Sequence, residues 1–263
     1  MLTESFLDTS KIVSPVARRI WGNPDTVLLF FAGGSAEFAA IKAVDWLFYT
    51  NKLPSSPIGR FFETMAFAQS VFLRNDTKSE KAVNAINHIH RGVEKSRGKV
   101  IPQWAYKDVL FLILHYGEQA HEIVFGPLTY QERHSYFEAV MALGYSMHLQ
   151  DLPQTYAQYQ EQRKYHLIND YEFTPLTRQL MDAYRKSLGP VRYYLLTLVQ
   201  ACLVPQEIGE VLNLKPNPVI KCLLRLYHYL PGGGNKLRWI QRIILPPQYA
   251  GQLRKLSVIK KDQ

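Results

Sequence analysis

Residues 59–68 have the sequence Gly-Arg-Phe-Phe-Glu-Thr-Met-Ala-Phe-Ala, which would form a helix that is apolar in nearly every direction. A helix of this kind is normally buried among other helices. Its one polar stripe consists of Arg60, Glu63 and Thr64, which are spaced i, i+3 and i+4 and therefore share a face. We expect this stripe to face a cavity, a ligand or a buried ion pair. The alternative is an exposed Arg60–Glu63 pair at a helix start, which contributes only about 0.3 kcal/mol.

Helical periodicity recurs along the whole chain, whereas the alternation typical of strands is scarce. Many breaks between the periodic segments carry proline or glycine, as expected where helices begin and end. The predicted helices are Asp25–Tyr49, Pro57–Leu73, Ser79–Lys95, Gln103–Gln119, Tyr130–Met147, Leu152–Tyr171, Pro175–Lys186, Pro190–Leu203, Gln206–Leu212, Pro218–Tyr229 and Lys236–Ile243.

No long linker, composition shift or internal repeat divides the 263 residues. We therefore predict an all-α protein made of a single domain, a multi-helix globular bundle over residues 1–263. Its core should span about residues 20–245, followed by a basic tail at 246–263.

The composition is 47% hydrophobic, 13% aromatic and 20% charged, which provides for a sizeable core and excludes a disordered chain. The net charge of +9 is not gathered into a dense basic block and accompanies no nucleic-acid-binding motif. We therefore expect a solvated basic face and no nucleic-acid partner.

The longest apolar run covers residues 27–41 and is shorter than the about 20 residues that a membrane span needs, so we expect a buried helix there. The N-terminus lacks the pattern of a signal peptide. Cys202 and Cys222 are expected to be small buried hydrophobic residues in a reducing compartment. These features favour a cytoplasmic protein and leave peripheral membrane contact open.

One arc of the helix predicted over Ser79–Lys95 is apolar and consists of Ala82, Val83, Ile86, Ile89 and Val93. At about 100° per residue, His90 falls inside this arc and His88 points to the opposite side. We expect His90 to be buried, where a neutral imidazole needs a partner. That partner is either a metal or, in the alternative of a core histidine, a backbone group or carboxylate.

Residues 32–40 have the sequence Ala-Gly-Gly-Ser-Ala-Glu-Phe-Ala-Ala. Such small side chains allow another backbone or a flat ligand to approach closely, which would offset the about 1 kcal/mol that each glycine costs a helix. Glu37 would share its face with Ile41, Val44 and Phe48. It is therefore predicted either as a ligand-site residue or as the buried partner of an arginine, and both possibilities stay open.

Several short motifs follow one another in a fixed order over about residues 20–245. They are Ala32-Gly33-Gly34 leading into Val44-Asp45, Arg60-x-x-x-Thr64, His90-x-x-Val93, Arg97-Gly98, Trp104 to Asp108, Phe125-Gly126 before Glu132-Arg133, Gly144 before Leu152-Pro153, and Tyr156 to Arg163. This series resembles the rubber-oxygenase (latex-clearing protein) and fungal mpaB-type oxygenase superfamily.

The resemblance implies an all-α fold that can hold haem b, with His90 as the proximal iron ligand and Arg60 and Thr64 lining the haem pocket. Rubber oxygenases use haem iron and dioxygen to cleave a polyisoprene double bond. We therefore expect a haem-dependent oxygenase, an oxidoreductase whose partners are dioxygen and an apolar, isoprenoid- or lipid-like substrate. Arg60, Glu63 and Thr64 are the candidate catalytic residues. Glu37 is a further candidate for shaping the pocket or binding a haem propionate.

The chain differs from the rubber-cleaving members at positions around the expected haem. Glu63 stands where they have a lysine that can cap the distal iron site, and Asn87 and Glu94 stand where they have arginines. Haem propionates prefer cationic partners, and Arg97, on the His90 face if the helix continues, is the candidate replacement. These differences motivate a second hypothesis, a non-catalytic helical protein of the same fold that binds a lipid or isoprenoid.

A competing metal site is suggested by His115, Glu118 and Glu122, which share a face, and by the spacing Glu118-x-x-His121. Di-iron carboxylate proteins use this spacing twice, together with two further glutamates. The sequence contains no second copy, so we do not expect a di-iron centre.

Overall fold

The computed structural model describes residues 9–49, 55–74, 76–231, 246–249 and 251–252. Its α-helices are, in chain order, α1 (Pro15–Trp21), α2 (Pro24–Ala40), α3 (Asp45–Phe48), α4 (Pro57–Phe72), α5 (Asp76–Arg97), α6 (Gln103–Phe125), α7 (Tyr130–Ser146), α8 (Tyr156–Asn169), α9 (Pro175–Leu188), α10 (Pro190–Leu203), α11 (Gln206–Leu212) and α12 (Pro218–Leu226). Within these ranges the only β pairing is one isolated bridge. The predicted all-α bundle is therefore confirmed.

Helix α2 is the central element and packs against α1, α6, α9, α10 and α11. It begins where the Asn23 side chain accepts the backbone N–H groups of Asp25 and Thr26, with Pro24 in the first turn. Nearly all of its residues are buried, which confirms the buried helix predicted for residues 27–41. Among the described residues, no helix is both long enough and apolar enough to span a bilayer.

The closest approach between α2 and α6 occurs at Gly33. A Cβ atom placed there would lie 2.1 Å from Cε1 of Tyr116, so only glycine leaves room for this ring. The sequence predicted that these small side chains allow either another backbone or a flat ligand to approach closely. At Gly33 it is another helix, α6, that does so. The neighbouring Gly34 lines a cavity that is described below.

The prediction of one helix over Asp25–Tyr49 is wrong. Helix α2 ends because Ile41 takes up an extended conformation, with φ −60° and ψ 130°, and forms an antiparallel bridge with Tyr171. The N–H of Glu172 donates to the carbonyl of Ala40 over 2.8 Å. A contact with a distant part of the chain thus ends the helix, and the face predicted to contain Glu37 does not continue past this point.

Other departures from the predicted elements are smaller. Helix α6 extends beyond its predicted end to Phe125 and is terminated by Gly126, whose φ is 95°. The prediction that the cysteines are buried is wrong, because Cys202 is half-buried and Cys222 is exposed. The predicted helix Lys236–Ile243 and most of the predicted basic tail lie outside the described residues.

Candidate functional site

A cavity of about 350 Å³ lies between α2, α4, α5 and α6, and this volume is within the range of small-molecule pockets. Most of its wall is apolar and includes Phe30, Phe31, Phe61, Met65, Leu110 and Tyr184. The polar side chains on the wall include Arg60, Thr64, His90 and Tyr106. Such a surface suits a ligand that is largely apolar and carries few polar groups.

His90 lies on the cavity wall, whereas His88 is exposed on the other side of α5. The helical phase therefore separates the two histidines as predicted, although His90 is half-buried rather than fully buried. Its Nδ1 atom is buried without a hydrogen-bond partner, and its ring packs against the Tyr106 ring at 5.1 Å. Burial lowers the pKa of His90, the Glu94 charge opposes this shift and the Arg60 charge adds to it. The imidazole is therefore neutral at neutral pH, the form that binds metal ions.

The polar stripe of α4 lies at the cavity mouth and is not buried. Arg60 and Thr64 line the cavity, but Glu63 is not among the lining residues. The side chains of Arg60 and Glu63 are 38% and 59% exposed and form an ion pair of 3.0 Å. Arg60 and Thr64 thus face a cavity, which was one of the expectations for this stripe, whereas the ion pair is exposed and not buried. The Glu63 carboxylate reaches the cavity only through its pair with Arg60, and its catalytic role stays a prediction.

Glu37 does not line the cavity. Its carboxylate is fully buried and forms a bidentate ion pair with Arg163. Nη1 of Arg163 lies 2.6 Å from Oε1, and Nη2 donates to Oε2 over 2.6 Å. The hydroxyls of Tyr116 and Tyr171 donate to the same carboxylate over 2.9 Å and 2.8 Å. Burial by itself would raise the pKa of Glu37, but the charge and hydrogen bonds of Arg163 outweigh it and hold the pKa below its ordinary value.

Of the two open possibilities for Glu37, the buried partner of an arginine is the one observed, and the cofactor-binding assignment is corrected. The reason is geometric. Glu37 lies on the side of α2 that faces Arg163 of α8 and Tyr116 of α6, and this side does not line the cavity.

Arg97 likewise does not reach the cavity. It donates to the carboxylate of Asp45, and its guanidinium lies over the Trp46 ring at 4.0 Å from the centroid. Trp46 does line the cavity. Arg97 therefore stabilises part of the wall by packing on this ring without lining the cavity itself. Its assignment as a cofactor-binding residue is therefore corrected to a structural one.

Two of the positions that differ from the rubber-cleaving proteins have structural partners in this chain. Asn87 donates to the carbonyl of Ser146 over 3.0 Å and joins α5 to the end of α7. Glu94 accepts the backbone N–H of Ile101 over 2.9 Å and the Tyr106 hydroxyl over 3.4 Å. Glu94 thereby orients the tyrosine that packs against His90.

A second polar cluster, formed by Asp108, His166 and Asp170, was missed by the sequence analysis. Nδ1 of His166 lies 2.8 Å from Oδ1 of Asp108 and 2.7 Å from Oδ2 of Asp170. Burial raises the pKa of Asp108 to about 6, against the lowering effect of the hydrogen bond from His166. The sequence does place His166 and Asp170 one turn apart on a helix, but it contains no signal that joins them to Asp108 on α6.

Glu118 belongs to a different pair. Its Oε2 accepts the Tyr156 hydroxyl over 2.6 Å, while its Oε1 is buried without a partner. Burial raises the pKa of Glu118 to about 7, although the hydrogen bond from Tyr156 lowers it. The folded protein therefore holds a proton on this carboxyl at pH values where the unfolded chain does not.

This pKa leads to a prediction for Glu118→Gln. Relative to this variant, the wild-type protein should lose stability as the pH rises from about 4.5 to about 7, because the folded state binds the extra proton in that window. Over this pH range, the difference in the free energy of unfolding between the wild type and the variant should change by about 2–3 kcal/mol. Urea unfolding of both proteins across this pH range measures it, and a difference that does not change with pH would contradict the prediction.

The fold and the cavity define an all-α protein with a half-enclosed, mainly apolar ligand site. The sequence matches the family described as ER-bound oxygenase mpaB/B'/Rubber oxygenase, catalytic domain, over residues 18–254. The chain belongs to this family, as its motifs suggested, and it is an oxygenase-type catalytic domain. Comparisons with curated proteins and with solved structures gave no match.

Proposed function

We propose that the chain is a haem b-dependent oxygenase that uses dioxygen to oxidise an apolar, isoprenoid- or lipid-like substrate. The observation that carries the proposal is His90. It is the one imidazole among the described residues that line the cavity, and its Nδ1 is buried without a partner. Membership of an oxygenase family supports the reaction class.

The residues around the cavity fit a haem. A half-buried imidazole that stays neutral at neutral pH can bind iron, and Arg60 is the one guanidinium on the described wall. A guanidinium forms strong, bidentate hydrogen bonds with carboxylates such as the haem propionates. When bound, haem b would supply an iron centre that activates dioxygen.

The remaining residues prepare the site. Tyr106 packs against the His90 ring and limits its rotation, and Glu94 in turn accepts the Tyr106 hydroxyl. Thr64 donates its proton to the carbonyl of Arg60 over 3.0 Å, so its oxygen offers only lone pairs to the cavity. The apolar wall would exclude water and orient a substrate that lacks polar groups.

The test is the absorption spectrum of the full chain reconstituted with haem. The wild-type protein should show a Soret band, and His90→Ala should lose most of the bound haem because the imidazole that would hold the iron is gone. His88→Ala is the matched control, since this side chain is exposed two positions away on the same helix, and it should retain the band. A wild-type protein without a Soret band, or a His90→Ala variant with an unchanged spectrum, would contradict the proposal.

A second candidate function is the binding of a lipid or isoprenoid without catalysis. It is favoured by the ion pair between Arg60 and Glu63 at the cavity mouth, which occupies the guanidinium that a haem propionate would need. Colourless, metal-free protein that releases a lipid in mass spectrometry would support this function. Oxygen consumption in the presence of an added alkene would exclude it.

A further inference from the structure

We propose that Asp108, His166 and Asp170 form a binding site for one divalent cation of the zinc type, separate from the cavity. The three side chains lie at the joint of α6 and α8. Their ligand atoms, one from each residue, are all within 4.8 Å of one another. In the described part of the chain, this is the one group of histidine, cysteine and acidic residues with metal-ligand spacing.

The hydrogen bonding of the cluster is incomplete without a further positive group. Nδ1 of His166 can carry one proton, and its hydrogen-bond partner is Oδ1 of Asp108 over 2.8 Å. Oδ2 of Asp170 lies 2.7 Å from the same nitrogen but has no hydrogen-bond partner, and Oδ2 of Asp108 has none either. Both carboxylate oxygens are therefore buried without a hydrogen bond, which is costly.

The charge balance also favours a cation. The two aspartates carry two negative charges when ionised, and His166 supplies at most one positive charge. The charge of Arg163 also acts on Asp108, but Arg163 is bound to Glu37 in a bidentate pair. Asp108 is fully buried, so water compensates little of this negative charge, and a divalent ion would neutralise it.

The ligand set indicates the type of ion. Imidazole nitrogen and carboxylate oxygen together suit zinc and its first-row neighbours, whereas magnesium and calcium prefer oxygen alone. His166 and Asp170 are four residues apart and thus lie on one face at the end of α8, a spacing that presents two ligands to one metal ion. The side chain of Asp170 is 16% exposed, which gives the ion a path from solvent.

Metal binding needs only a small adjustment. Zinc lies about 2.0–2.2 Å from nitrogen and carboxylate oxygen ligands, so neighbouring ligands are roughly 3.3 Å apart. The observed separations of 2.7 Å and 2.8 Å are shorter by about half an ångström. Asp170 lies just after the last residue of α8, and its side chain is partly exposed, so an outward shift of this size would bring it toward solvent and not into the core.

A bound cation would fix the outer side of the cavity wall. The carbonyl of Asp170 accepts the N–H of Lys42 over 2.9 Å, directly after Ile41, which lines the cavity. Val109, next to Asp108, lines it as well. The ion would therefore hold α6, α8 and the end of α2 together at one point without contacting the ligand.

The test is calorimetric titration of the metal-stripped full chain with Zn²⁺. We expect one equivalent to bind, and Asp170→Asn to weaken binding at least tenfold, because it removes a charged ligand but keeps the side-chain shape. Glu172→Gln is the matched control, as this carboxylate is exposed and lies outside the cluster, and it should bind as the wild type does. Absence of wild-type binding, or equal affinity in Asp170→Asn, would overturn the proposal.

Zinc X-ray absorption of the loaded wild-type protein provides a measurement that does not depend on a variant's folding. The proposal requires nitrogen and oxygen neighbours, with the outer-shell scattering of one imidazole and no sulfur. Sulfur neighbours would move the site to Cys202 or Cys222, which are free thiols, and would refute it. Both measurements are made without haem, so their outcome is independent of the proposed oxygenase function.

Discussion

Replacing Arg163 with methionine is expected to lower the free energy of unfolding by about 3–5 kcal/mol, the usual cost of leaving one member of a buried ion pair without its partner. The Glu37 carboxylate is fully buried, and Arg163 supplies both its counter-charge and a bidentate pair of contacts. The hydroxyls of Tyr116 and Tyr171 would remain as donors, but they carry no charge. Chemical denaturation followed by circular dichroism measures the loss.

Two comparisons separate this effect from general damage. Arg133→Met removes an arginine whose ion pair with Glu122 is about equally short, at 2.7 Å, but whose side chains are 40% and 39% exposed. Pairs of this kind contribute about 0–1 kcal/mol. The double variant Glu37→Gln with Arg163→Met removes both charges and should recover part of the stability. If Arg163→Met costs no more than Arg133→Met, the account of the buried pair is wrong.

Gly33→Ala is expected to destabilise the protein by about 2–3 kcal/mol, the upper part of the usual range for overpacking a well-filled core. The added Cβ would lie 2.1 Å and 2.4 Å from two carbon atoms of the Tyr116 ring, so the ring has to move. It cannot do so freely, because its hydroxyl is bonded to Glu37 at 2.9 Å. The strain would therefore reach the buried ion pair, and the unfolding midpoint in urea should fall.

Gly92→Ala is the matched control for this substitution. Gly92 is a helical glycine on the exposed side of α5, and a Cβ added there meets nothing within 4 Å. Alanine should stabilise the helix at this position by about 0.5–1 kcal/mol, since it reduces the backbone freedom of the unfolded chain. Opposite signs for the two variants are expected, and a loss of stability in both would mean that the Tyr116 contact is not the cause.

The sequence could predict the features that are set by residues close together on one helix, such as which side chains face the core and which helices are buried. The phase that places His90 on the cavity wall and His88 in solvent follows from helical geometry alone. The same holds for the burial of α2, whose composition is apolar around its whole circumference. The ordered series of short motifs led to the family, and it also pointed to Arg60 and Thr64, which line the cavity.

What the sequence could not predict depends on contacts between distant residues. The end of α2 at Ala40 is set by a bridge from Ile41 to Tyr171, and no local helix-breaking residue marks it. For the same reason the partner of Glu37 could not be identified, because Arg163 lies 126 positions away along the chain. The exposure of Glu63 depends on which side of α4 is left uncovered by other helices.

The central position of α2 has a consequence for the order of events during synthesis. Ser35 on this helix accepts a hydrogen bond from Gln200, 165 positions later. Glu37 is paired with Arg163, which is also synthesised much later. Until these segments have left the ribosome, α2 can pack only against α1 and α6, so the Glu37 carboxylate has no counter-charge and the sides of α2 that α9, α10 and α11 cover stay exposed. Contacts of such sequence separation slow folding compared with bundles built from adjacent helices, and the nascent first half should depend on chaperones that shield apolar segments.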